Sequence, residues 1–143
     1  MDIKKYVDYL FDIQRENLRK EISKLFEECK VDPKRYTMFL ECVGINYVIR
    51  DLISDIYLSG LYIEKNIMLK IAIFNLVMEN NLDIFRINDN IRNEKNDWWK
   101  EKIIKEKKEL KEKVMVEVNK LADKFKKYRS VDGEISCSNC INS

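Results

Sequence analysis

The chain reads as an all-α protein, a bundle of about five helices around a buried apolar helical hairpin, with long amphipathic helices at both ends. Three observations predict this. One proline and three glycines in 143 residues leave long stretches without a breaker, which suits helices better than short strands joined by turns. Apolar residues recur at spacings of three and four through most of the sequence, the period of a helix with one buried face. Between Tyr36 and Met78, finally, apolar residues dominate on every side and only seven charges interrupt them. A helix apolar nearly all round must be covered by others. Hydrophobic residues at 45% and charged residues at 36% exclude a disordered chain. The length is that of one domain, expected at 1–129 with a polar tail at 130–143.

Asp2–Lys30 is predicted as one long helix. Asp2 is a plausible N-cap, and Ile3, Tyr6, Val7, Leu10, Leu18, Ile22, Leu25, Phe26 and Cys29 form its apolar stripe, with either Ile13 or Gln14 filling the middle. Asp32-Pro33 then ends one helix and starts the next, since Asp can cap and Pro suits the first turn. That second helix runs towards Gly44, where a break or a close helix contact is expected. Asn46–Ser59 and Leu61–Asn80 are the two central helices, separated by Gly60 as a left-handed C-terminal stop. Leu52, Ile56, Ile67 and Phe74 are expected in the core. Residues 80–96 carry six asparagines, which bond to their own backbone and favour turns. This stretch is read as a loop tacked down by Leu82, Ile84, Phe85, Ile87 and Ile91, with one helical turn at most.

Asp97–Arg129 is the last helix, about 50 Å long at 1.5 Å per residue. Ile103, Leu110, Val114, Val118, Leu121, Phe125 and Tyr128 fall in one sector roughly 80° wide. Lys102, Lys113, Lys120, Lys124 and Lys127 project on the adjacent flank, with Glu106 and Glu109 interrupting the row near its start. Residues 98–129 hold 12 Lys and Arg against 6 Asp and Glu, on a chain whose net charge is +2. A basic segment on a weakly acidic body either faces an anionic partner or is a solvated helix whose lysines pair with the body.

The sequence argues against an enzyme. There is no histidine, which removes the commonest general base and most nucleophile pairs. Glycines stand alone at 44, 60 and 133, so no glycine-rich phosphate loop exists. Four cysteines in a helical chain do not look like a secreted disulfide framework, no apolar run reaches membrane length, and no signal peptide is expected where Met1–Lys5 runs into a charged amphipathic pattern. A reducing, cytoplasmic setting is expected. Cys137 and Cys140 form one C-x-x-C, half of a zinc tetrahedron. Cys29 and Cys42 could supply the other half but read as small core residues. A redox pair, a loose prenylation box and two idle thiols are the other readings. No cofactor and no zinc in the isolated monomer are expected.

The candidate contact residues are therefore Trp98, Lys113, Lys120, Lys124, Lys126, Lys127, Arg129, Cys137 and Cys140. The lysines could track phosphates or simply be solvated. Trp98-Trp99 could stack on a base or anchor in a partner's pocket. Trp99 is expected in the core and Trp98 at the surface.

The first 45 residues resemble the microsporidian dormancy factor family of ribosome-binding helical proteins. The likeness lies in Ile3-Lys-Lys-Tyr-Val-Asp-Tyr-Leu, Gln14-Arg-Glu and the leucine-type helix that follows, then in Asp32-Pro-Lys before another apolar helix. Trp98-Trp99 on a later helix also fits. The resemblance implies a non-enzymatic protein that occupies a tRNA or mRNA site on the ribosome, with ribosomal RNA as partner. The alternative is a helical adaptor or inhibitor, for instance a pathogen or phage protein that docks on a host or defence protein.

Overall fold

The structure is a computed structural model and describes residues 2–32, 34, 45–59 and 65–135. Among these residues it is all helix and loop: α1 (Ile3–Asp12), α2 (Arg15–Glu28), α3 (Ile45–Ser59), α4 (Lys65–Glu79), α5 (Asn81–Asn93) and α6 (Asp97–Ile135). The all-α bundle expected from the sequence is what forms. The segments around Gly44 and Gly60, and the helix expected from Pro33, lie outside the described residues.

α4 is the centre. Ile71, Ala72, Ile73, Phe74, Val77 and Met78 are buried, including four consecutive positions, so the helix is covered on several sides. It touches each of the other described helices. α3 packs on α4 by one face, burying Ile49, Leu52 and Ile56 while Tyr47 and Leu58 stay exposed. Of the four expected core residues, Leu52, Ile56 and Phe74 are buried. Ile67, in the first turn of α4, is only partly covered.

The N-terminal helix is two helices. Ile13 and Gln14 are both extended, with ψ of 133° and 158°. Neither Pro nor Gly marks the break; tertiary contacts do. Ile13 turns into the core, and the side-chain amide of Asn88 on α5 donates to the Phe11 carbonyl at 2.8 Å. That carbonyl is one of the four that a helix end leaves without a partner. Asp2 caps α1 as expected, accepting from the Lys5 N–H at 3.2 Å.

The expected Asn-rich loop is also a helix, α5. Ile84 and Ile87 are buried, with Phe85 packed against the core beside them. Their burial outweighs the weak helix propensity of asparagine, about 0.7 kcal/mol per residue at most. Asp83 in the first turn and Arg92 in the last turn suit the helix dipole.

α6 spans 39 residues, six beyond the predicted end at Arg129, so the first residues of the expected tail continue the helix. Val114 and Val118 are buried against the bundle, with Leu110 and Met115 packed beside them, close to the sector predicted from spacing.

Candidate nucleic-acid interface

α6 carries two kinds of lysine, and its rotation separates them. Val114 and Val118 must face the core, which fixes the helix about its axis. Lys107 and Lys111 then point towards α1. The Lys107 ammonium meets the Asp12 carboxylate at 2.9 Å, and Lys111 pairs with Asp8. These two charges are largely neutralised by the body.

Lys113, Lys120, Lys124 and Lys126 are exposed. Lys113 and Lys120 stand seven residues apart and share one side, since seven residues is nearly two turns. Lys124 follows one turn later. Lys126 lies nearly half a turn from Lys124 around the axis, away from that row. Lys120 also reaches Glu117 at 3.2 Å, a pair within the helix in which both partners stay mostly exposed. Such exposed pairs are worth about 0–1 kcal/mol and would yield to a phosphate. Lys127 and Arg129 continue α6. Cys137 and Cys140 lie outside the described residues.

At the other end of α6 the helix start is fixed by Asn96. Its side-chain oxygen accepts from the backbone N–H of Trp98 at 3.0 Å and of Trp99 at 3.3 Å, the pattern of an N-cap. Trp98 is 56% exposed, as expected, but Trp99 is 51% exposed and not in the core. Its direction falls just outside the edge of the apolar sector, and it stands in the first turn of α6. The two rings meet edge to face, with centroids 4.6 Å apart. The Lys102 ammonium lies 3.9 Å from the Trp98 centroid and 5.6 Å from that of Trp99. Lys102 was not among the candidate residues. Its spacing, four after Trp98 and three after Trp99, places it on their side of the helix and was a usable signal.

A second feature had no sequence signal. α3, α4 and α6 leave an open cleft of about 600 Å³, walled by Ile53, Leu58, Met68, Leu76, Leu121 and Phe125. Arg50, paired with Glu79, and Lys124 stand among its lining residues. Leu58 at its edge is 84% exposed.

No group of His, Cys, Asp and Glu side chains among the described residues is placed to hold a metal ion. No described helix is long and apolar enough to cross a membrane. No family model, curated protein or solved structure matches this chain.

Proposed function

We propose that this protein is a non-enzymatic binding protein that contacts ribosomal RNA through the outer face of α6. The observation that carries the reading is the sorting of the α6 lysines. Those facing the body are taken up by Asp8 and Asp12. Lys113, Lys120, Lys124 and Lys126 are exposed, and among the described residues their one ion pair is a weak intrahelical one at Lys120. A rigid helix with an outward row of cations suits a run of phosphates, and releasing the condensed counterions drives such binding. The resemblance of the N-terminal third to the dormancy factor family supports the ribosome as the place where that RNA is met, at a tRNA or mRNA site.

The row is short. Lys113 to Lys127 spans about 21 Å at 1.5 Å per residue, enough for a few phosphates and not for an extended groove. Modest, salt-sensitive affinity is the expectation. Replacing Lys113, Lys120, Lys124 and Lys127 together with Gln should leave the fold intact, since Lys113, Lys120 and Lys124 are exposed and exposed substitutions usually cost within about 0.5 kcal/mol each. The slope of log affinity against log salt should flatten by roughly 0.7–0.9 for each phosphate that is no longer neutralised. Co-sedimentation with ribosomes across a salt series measures it. Equal sedimentation of both proteins at every salt concentration would show that the row is only a solvated face.

The cleft between α3, α4 and α6 favours a second reading, an adaptor or inhibitor that receives an apolar side of another protein. Its binding would tolerate salt. Failure of the wild-type protein to sediment with ribosomes at low salt would put this reading first.

A further inference from the structure

We propose that Trp98, Trp99 and Lys102 form a notch that takes an unpaired RNA base, so that the RNA recognised by α6 is single-stranded at the helix start. The inference rests on the RNA reading of α6 and adds to it the kind of RNA and the residues that select it.

The geometry points to a base for three reasons. Two indoles are each about half exposed, 56% and 51%, and they stand side by side on one turn, whereas Tyr9 and Tyr47, the other exposed aromatics among the described residues, stand singly on separate helices. An exposed aromatic pair is a platform that any base can use, because every base has a π face. The two ring planes, moreover, stand 78° apart at 4.6 Å. They make a corner in which a flat group stacked on one ring abuts the other. The notch is also held in place: both indole-bearing residues donate their backbone N–H to Asn96, so the first turn does not fray.

Charge decides the class of partner. The Lys102 ammonium lies over one face of the Trp98 ring, 3.9 Å from its centroid, and residues 98–129 carry twice as many basic as acidic groups. An ammonium beside a stacked base can reach the phosphate or a base carbonyl. An apolar pocket on a protein would have to desolvate that ammonium. Exposed Lys105 and Lys108 follow along the helix, and Lys113 begins the outer row about 22 Å from Trp98. A strand anchored by one base at the notch would therefore meet cations as it runs along α6. A duplex keeps its bases stacked inside and could use only the lysines.

The chain contains two tryptophans, both in the notch, so intrinsic tryptophan emission reports this site alone. The experiment titrates the full chain with a short single-stranded oligouridylate or oligoadenylate, with a duplex of equal length, and with an abasic ribose-phosphate oligomer. Single strands should quench the emission; the duplex and the abasic oligomer should bind through the lysines with little quenching. Trp98→Ala should weaken single-strand binding by about 5- to 150-fold, the range for one base–aromatic stack, and leave duplex binding unchanged. Trp98→Phe, which keeps an aromatic face, should recover most of that affinity. Circular dichroism checks that the variants stay folded. Unchanged emission in a complex saturated with single-stranded RNA overturns the proposal, and so does wild-type single-strand affinity in a Trp98→Ala, Trp99→Ala double variant. Either result, with the lysine variant still impaired, would leave the RNA reading of α6 standing without the notch. Loss of neither binding nor salt dependence in the lysine variant would overturn the RNA reading itself.

Discussion

Tyr6 carries its hydroxyl into the core without a hydrogen-bond partner among the described residues. Burial, helped by the nearby Glu21 and Glu28 carboxylates, pushes its pKa well above the ordinary 10.0. Tyr9 shifts the same way, first by desolvation and then by Glu21, whose carboxylate accepts its hydroxyl at 3.2 Å. Burial, and then Glu28, pushes the Cys29 thiol up to about 11. All three groups keep their protons longer in the folded chain than in the unfolded one. Their contribution to stability is therefore complete below the ordinary values of 9.0 for Cys and 10.0 for Tyr, and is lost as pH rises above them. Urea midpoints should be flat near neutral pH in these terms and fall from about pH 9 upward. Tyr6→Phe removes an unpaired polar atom at nearly constant volume, a change that ranges from neutral to stabilising. It should raise the neutral-pH stability by about 1 kcal/mol and flatten much of the alkaline fall, both read from urea curves with and without the substitution.

At the scale of helices, the joint between α1 and α2 depends on a residue far away in sequence. Asn88 on α5 satisfies the Phe11 carbonyl, so Asn88→Ala leaves that acceptor without its protein donor. A cost of about 1–3 kcal/mol is expected, measured by chemical denaturation, with Asp89→Ala on the exposed side of α5 as a near-neutral control. This joint explains why the sequence misled. A stripe at spacings of three and four runs through Ile13 and Gln14 with no breaker, and the hydrogen bond that stops α1 comes from 77 residues on. The asparagines of α5 mislead in the opposite direction, because their turn propensity is local while the burial that overrides it, at Ile84 and Ile87, is tertiary. Where the signal was local, the reading held. Asp2 caps α1, and the spacing of Val114 and Val118 fixed the buried side of α6. Asn96 shows the same logic: it looked like one more loop asparagine and is the cap that sets the tryptophans. Asn96→Ala should cost about 0.5–2 kcal/mol and lower the anisotropy of tryptophan emission as the first turn loosens.

Across the whole molecule, the organising fact is that α4 touches every other described helix. Phe74 lies almost wholly buried in that helix, and Phe74→Ala should cost about 3–5 kcal/mol, enough to threaten a typical domain's total stability. Differential scanning calorimetry would show the transition fall or vanish. The apolar identity of α4 was plain in the sequence. The candidate site was only half plain. The lysines of α6 could be counted, but which are spent on Asp8 and Asp12 depends on α1 lying against α6. The cleft depends on how three helices splay and has no counterpart in any one segment.

A hub placed this late in the chain has a consequence for synthesis. α1 and α2 bury Val7, Leu10, Phe11, Leu18, Ile22 and Phe26, and both pack on α4. Translation must add the 51 residues from Cys29 to Glu79 before that hub exists. At 5–20 residues per second this takes about 3–10 s. For that interval the newborn N-terminal helices lack the α4 surface that covers them, and that part of their apolar sides stands open to chaperones or to neighbouring nascent chains.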